Sequence, residues 1–375
     1  MRRNNQGVVT RMLTIKISMK IIIDNIIFYL QSSGGVSVVW TEIVERLLKE
    51  KKIDLKFIEY GVTNNIFRRS LKINDKLILN KNPLFLKVKR YISPIVRFND
   101  KFIFHSTYYR LCKNKNAVNI TTVHDFTYEY FFKENLGKKL HCKQKYYAIK
   151  KSDYIVCISE STKNDLLKFI PNVDENRIRV IYNGVSNSYK VLKKERLNNL
   201  PYSKESYILF VSGRINRKNF SLAVESVALT KYNFVIVGSP LTINERKLLD
   251  SKLLGRYTLL QNLNNEELNV IYNYAYCLLY PSSYEGFGIP VIEAQKAGCP
   301  VIAYNASSIP EIIGNTPLLM NELSSKEILN KLNKLSENGE RESIIKNGLI
   351  NSSRFSWDKT YDQYLSLYKE IFSFK

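Results

Sequence analysis

The sequence predicts an α/β protein made of two doubly wound, parallel-sheet units that face each other across a cleft. Three observations carry the prediction. From residue 19 onward, short apolar runs of β character alternate with segments of helical period. The alternation starts afresh after a polar stretch at residues 186–206, which contains an Asn-Asn pair and Pro201 and follows neither period. At 375 residues, the chain is long enough for two or three units of ordinary size. Alternation of this kind gives an open parallel sheet with helices on both faces, and ligands then sit beyond the carboxyl ends of the strands.

The first unit opens at Met19 with the apolar run MKIIID, followed by a Ser-Ser-Gly-Gly turn ending at Gly34 and Gly35. Val39, Ile43, Leu47 and Leu48 then recur at helical spacing, so the segment reads as strand, turn and helix. Further β-type runs fall at residues 55–59, 101–105, 118–123, 154–158 and 179–182. In the second unit they fall at 207–212, 233–237, 257–260, 277–280 and 300–303. The chain divides accordingly into an N-terminal extension expected to be poorly ordered (1–18), a first unit (19–200), a second unit (201–355) and a final helix (356–375). That helix places Trp357, Tyr361, Tyr364 and Leu365 on one face.

Composition excludes several classes. With 45% hydrophobic and 24% charged residues, the chain is neither disordered nor fibrous. No apolar run approaches the ~18 residues of a membrane span. The five cysteines are scattered, without a CxxC pair or a histidine at ligand spacing, which argues against a disulfide scaffold and a zinc site. Asp24 and Asn25 interrupt the apolar stretch after Met19, so no signal peptide is expected and a cytoplasmic location is.

Charge is uneven. Residues 1–200 hold 38 Lys and Arg against 17 Asp and Glu, a balance of +21, whereas residues 201–375 hold 19 against 17, a balance of +2. A basic half attracts nucleic acid, an anionic membrane or an anionic polymer, and charge alone does not choose among them. Residues 82–98, NPLFLKVKRYISPIVRF, are basic and aromatic and suit either an anionic membrane surface or a solvated helix.

The chemistry concentrates beyond strand ends. In residues 281–314, PSSYEGFGIPVIEAQKAGCPVIAYNASSIPEIIG, a strand runs through a loop into a helix, with Glu285 in the loop and Glu293 eight positions on. Gly286 and Gly288 free the backbone for close approach to a ligand, and carboxylates accept hydrogen bonds from sugar hydroxyls. Upstream, GRINRKNF places Arg214, Arg217 and Lys218 beyond a strand end, where cations neutralise a diphosphate. In the first half, His105 and His124 close two β-type runs.

The segment at 281–314 resembles the E-x7-E region of the retaining nucleotide-sugar glycosyltransferases of family 4, whose fold (GT-B) is two Rossmann-like domains with the active site between them and a C-terminal helix crossing back to the first. The resemblance implies that Glu285 contacts the transferred sugar, Glu293 the nucleotide ribose, and the backbone of Phe287, Gly288 and Ile289 the sugar and phosphate. It likewise implies diphosphate binding by Arg214 and Lys218, with Arg217 able to stand in for Arg214. His124 matches the family's cleft histidine and Gly35 its donor-side glycine loop; Gly34 and His105 are expected near the acceptor. Residues 152–166 and 179–186 resemble stretches whose role is mainly structural.

The implied activity is transfer of a hexose-type sugar from a nucleotide-sugar donor to a lipid-linked or polysaccharide acceptor in cell-surface glycan synthesis, with the basic half against an anionic membrane and no nucleic-acid partner. No Asp-x-Asp occurs, so no metal-binding pair is expected and no cofactor is implied. The competing readings are a nucleotide-sugar epimerase, a phosphorylase carrying pyridoxal phosphate, a basic nucleic-acid-binding protein lacking any recognised motif, and an inactive binding module.

Overall fold

The structure is a computed structural model that describes residues 19–80, 86–132, 135–193 and 202–373. The expected N-terminal extension (1–18), much of the polar stretch between the units and the start of the basic, aromatic segment at 82–98 lie outside those residues.

The first unit is a seven-stranded sheet of β1 (Met19–Asp24), β2 (Ile53–Glu59), β3 (Ile78–Asn80), β4 (Phe102–Ser106), β5 (Ala117–Val123), β6 (Tyr154–Cys157) and β7 (Ile178–Val180), in the order β3-β2-β1-β4-β5-β6-β7. The second is a six-stranded sheet of β8 (Tyr207–Val211), β9 (Asn233–Val237), β10 (Tyr257–Leu260), β11 (Cys277–Tyr280), β12 (Val301–Tyr304) and β13 (Leu319–Met320), in the order β10-β9-β8-β11-β12-β13. All pairings are parallel. Strand order reverses between β1 and β4 and between β8 and β11, and at such points the flanking loops splay apart and leave a crevice. Helices on both faces explain why Ile21, Ile22 and Ile23 of β1 are consecutive and fully buried. The short edge strands β3 and β13 were not foreseen in the sequence pattern.

The final helix, Trp357–Ser373, returns to the first unit. Trp357, Tyr361, Tyr364, Tyr368 and Ile371, at helical spacing, pack into the same apolar cluster as Ile21, Ile23, Trp40 and Phe57. A helix with this much aromatic surface is held by burial, at ~25 cal/mol per Å² of apolar area removed from water.

The two units are also locked together along the cleft. Helix Glu160–Phe169 begins at Ser159, whose side chain accepts the Thr162 N–H at 3.0 Å. The Glu160 and Ser161 N–H groups donate to Glu311 of the second unit at 3.1 and 2.9 Å. A carboxylate from one unit thus satisfies the exposed donors and the positive end of a helix in the other. Tyr182 donates to the same carboxylate at 2.9 Å. The stretches at 152–166 and 179–186 therefore form the joint between the units.

Candidate active site

The loop after β11 carries Glu285 and is fixed from three sides. Asn219, in left-handed conformation at the end of the Asn216–Lys218 turn, donates to the Pro281 carbonyl at 2.7 Å and to Ser283 at 3.0 Å. Ser307 accepts the Glu285 N–H at 2.8 Å, and Ser308 donates to the carbonyls of Glu285 and Phe287 at 3.0 and 2.9 Å. Toward the first unit, the Gly286 carbonyl accepts from Ser159 at 2.7 Å, while the Tyr284 hydroxyl donates to Asp165 at 2.6 Å and accepts the Phe126 N–H at 2.9 Å. Gly286 itself passes so close to His124 that a Cβ there would lie 1.9 Å from the His124 carbonyl oxygen. Its lack of a side chain serves contact with the other unit, not the approach to a ligand expected from the sequence.

This architecture brings Glu285, Lys218 and Arg217 together. The Glu285 carboxylate is bonded to the Lys218 ammonium through one oxygen and lies 3.2 Å from Arg217 through the other. Lys218 also reaches the Tyr280 hydroxyl at 3.4 Å. Burial pushes the Glu285 carboxyl up, but the Lys218 and Arg217 charges outweigh it and hold it below the usual carboxylate range. Burial pulls Lys218 below the usual lysine range, the Glu285 charge only partly opposing it.

His124 ends β5 on the opposite side of the cleft. It is buried, burial lowers its pKa to about 4, and its Nε2 has no hydrogen-bond partner among the described residues. A neutral imidazole with a free ring nitrogen can bond a sugar hydroxyl in either direction. His124, Asp125 and Arg217 line a cavity of about 680 Å³ between the units, together with Gln31 and Val36 from the turn after β1.

A second cavity, of about 400 Å³, is lined by Gly35, Ile289, Pro290 and Glu293. Gly288, at φ +98°, starts helix Ile289–Lys296, with Pro290 in its first turn, where no N–H is needed. Glu293 accepts from Tyr272 at 3.1 Å, and burial raises its carboxyl to about 7 against the opposing tyrosine hydrogen bonds. Glu293 thus faces a different cavity from Arg217 and His124, and the glycine turn after β1 borders both. Gly34 precedes helix Gly35–Leu47, and a Cβ on it would meet the Gln31 amide at 2.6 Å.

Two expectations change. His105 is fully buried, bonded to Tyr368 and Thr122 at 2.9 Å each and edge-on to Trp40 at 4.7 Å. Its position on β4 points it into the packing of the final helix, so it is a structural histidine and not part of an acceptor site. Arg214 is turned toward other partners: its Nε lies 3.0 Å from Glu245 and its Nη2 donates to the Ser239 and Pro240 carbonyls at 2.8 and 2.7 Å, while its Nη1 has no hydrogen-bond partner among the described residues. Arg217 takes the place beside Glu285. Of the Phe287 backbone, the carbonyl is engaged by Ser308, and the ring packs on Phe355 at 5.8 Å.

Two Rossmann-like units facing across a cleft, with a final helix returning to the first, constitute the GT-B fold. Residues 33–189 match the model of Glycosyltransferase Family 4 and residues 193–351 that of Glycosyl transferases group 1, and the chain belongs with the family 4-like GT-B glycosyltransferases. It is 29% identical over 233 residues to the O-antigen chain mannosyltransferase RfbU of Salmonella typhimurium, covering 60% of this chain and 63% of that protein, just under two thirds of its length. It is 25% identical over 323 residues to O-antigen chain mannosyltransferase B of Escherichia coli, covering 78% and 81%. Among solved structures, sucrose-phosphate synthase from Thermosynechococcus elongatus superposes with a TM-score of 0.74 at 17% identity, covering 95% of this chain and 100% of that one. Anabaena HepE in complex with UDP and glucose gives 0.66 at 14%, covering 93% and 99%. At these identities the two structures speak for the fold.

Proposed function

We propose that the protein is a retaining glycosyltransferase of cell-surface glycan synthesis that moves a hexose-type sugar from a nucleotide-sugar donor to a lipid-linked or polysaccharide acceptor. The observation that carries the reading is the cluster of Glu285, Lys218 and Arg217 beyond the ends of β8 and β11, whose Arg217 lines the same cavity as His124, a histidine with a ring nitrogen that has no partner among the described residues. The O-antigen mannosyltransferases among the relatives support the glycan assignment, and the family likeness supports retention.

In the proposed reaction Lys218 and Arg217 take the donor diphosphate, Glu293 and the glycine turn hold its nucleoside, and Glu285 and His124 orient the sugar. The bond from the anomeric carbon to the diphosphate breaks while the acceptor oxygen attacks from the same face. The acceptor proton passes to the departing phosphate oxygen. The two cations are preorganised where negative charge develops, and this gives the chain its own means of neutralising the leaving group without a metal.

The acceptor end of the cavity supports a membrane-bound substrate. Val88, Ile92 and Ile95 on one side and Leu136 and Leu140 on the other are exposed apolar residues on the segments that line it. Among the described residues no helix is long and apolar enough to cross a membrane, so the proposed contact is peripheral. The test is incubation of the protein with nucleotide-mannose and nucleotide-glucose donors and a prenyl-diphosphate-linked sugar, with the anomeric configuration of the product read by NMR. A product keeping the donor's configuration supports the reading; an inverted product, or epimerised donor without transfer, overturns it.

A further inference from the structure

The larger cavity has a second charged end that the proposed reaction leaves unused. Arg90 and Lys138 line it together with Tyr108, Tyr128 and His141. The Arg90 guanidinium lies 5.0 Å from the centre of the Tyr108 ring. Tyr108 meets His141 at 5.4 Å, and His141 meets Tyr128 edge-on at 4.7 Å. Lys138 closes the row, 4.1 Å above the Tyr128 ring and 3.0 Å from its hydroxyl. Two cations are therefore held at opposite ends of a three-ring floor. Arg90 Nε is buried without a hydrogen-bond partner among the described residues. Among the described residues the cavity is lined by the cations Arg90, Lys138 and Arg217 and by one carboxylate, Asp125, one oxygen of which accepts the Thr127 N–H at 2.9 Å. Burial and the Lys145, Arg90 and Lys138 charges keep His141 neutral, at about 3.

We infer that Arg90 and Lys138 frame a phosphate subsite for the acceptor, so that the group accepting the sugar carries a phosphate or diphosphate ester. Neutral sugar hydroxyls do not balance two cations that have no carboxylate partner among the described residues, whereas a phosphate ester supplies both the charge and several acceptor oxygens. The tyrosine hydroxyls add donors, and the ring floor provides apolar surface for the carbon chain or sugar next to the ester. The inference rests on the donor occupying the Arg217 end of the same cavity, which leaves the acceptor hydroxyl between the two charged ends. The ester has two sources: a prenyl-diphosphate-linked glycan or a soluble sugar phosphate.

The experiment titrates farnesyl diphosphate, mannose 1-phosphate and uncharged farnesol into the full-length protein and into Arg90→Gln, Lys138→Gln and Arg90→Lys. The expected result is binding of at least one phosphate probe and not of farnesol, weakened about tenfold or more by each Gln variant and largely kept in Arg90→Lys. Tighter binding of farnesyl diphosphate identifies a lipid-linked source; tighter binding of mannose 1-phosphate identifies a soluble one. Equal affinity in wild type and both Gln variants, farnesol binding as well as its diphosphate, or no binding of either phosphate probe overturns the inference. Thermal shifts with UDP, GDP and ADP run alongside: shifts retained in the Gln variants show an intact fold and donor site, whereas no shift in any protein is a failure of the donor reading and is seen separately.

Discussion

Lys218 and Glu285 are paired in the cleft, each only 8% exposed, with Arg217 on the other carboxylate oxygen. A buried charge pair of this kind is costly to break from one side, because the remaining partner is left uncompensated. In the proposed reaction the donor diphosphate supplies an anion for the two cations and frees the Glu285 carboxylate to meet the sugar.

Replacing Lys218 by Ala is expected to lower turnover about a hundredfold, the size of losing one preorganised donor to a developing oxyanion. Steady-state kinetics would show the loss mainly in kcat, and near-normal turnover would remove Lys218 from the leaving-group role. Arg214→Ala should cost less, because that guanidinium pairs with Glu245 and donates to two carbonyls rather than standing beside Glu285.

Gly286→Ala tests whether the two units must meet as closely as they do. The added carbon would lie 1.9 Å from the His124 carbonyl oxygen, so the loop or β5 must retreat. A displacement of about 1 Å at a reacting centre costs on the order of a hundredfold in rate. The variant should therefore fold with the wild-type circular dichroism spectrum but turn over about a hundredfold more slowly; wild-type kcat would contradict the close contact.

Glu293 carries a pH dependence of defined sign. Its carboxyl is raised to about 7 in the folded protein from an ordinary 4.5, so it binds more protons folded than unfolded between those values. The stability it contributes is complete below about pH 4.5 and is lost as pH rises through about 7. Glu293→Gln should leave the thermal midpoint nearly unchanged at pH 5 and raise it at pH 8, while weakening nucleotide binding at pH 8. An unchanged midpoint at both values would mean that the carboxyl is not desolvated.

The three histidines act in the opposite direction. His105, His124 and His141 all lie in the first unit, with pKa values lowered by burial to about 3, 4 and 3. Below about 6.5 the unfolded chain binds protons that the folded one does not, so stability falls as the pH drops from there. Denaturant midpoints from pH 7.5 to 5 should decline, and His105→Gln should flatten the decline without altering the KM for either substrate. An effect on acceptor KM alone would return His105 to the acceptor site.

The alternation of apolar runs with helical segments made the two sheets legible, because strands covered on both faces, such as β1 and β11, read as unbroken hydrophobic stretches. The edge strands β3 and β13 escaped, since two or three residues are too few to display a period. Glu285 and Lys218 stood out because each sits beyond a strand end in a distinctive motif. What the motif could not convey was side-chain direction: Arg214 and Arg217 are three positions apart in one basic turn, and only the packing of β9 and β11 around that turn sends one to Glu245 and the other to Glu285. His105 and His124 look alike as strand-end histidines, yet the final helix packs over His105, whose partner Tyr368 lies 263 residues downstream. The Glu311 clamp on helix Glu160–Phe169 is likewise a pairing of distant positions with no local signature.

The central claim is that Lys218, Arg217 and Glu285 form a nucleotide-sugar diphosphate site. Its most direct test is the thermal shift of the purified protein with UDP, GDP and ADP and their sugar conjugates, set beside that of Lys218→Ala. Ligand at about 100 times its dissociation constant adds roughly 2.7 kcal/mol to a folded state that alone binds it. The account predicts a shift with one nucleotide diphosphate that is largely lost in Lys218→Ala; an equal shift in both proteins, or none with any nucleotide, would contradict it.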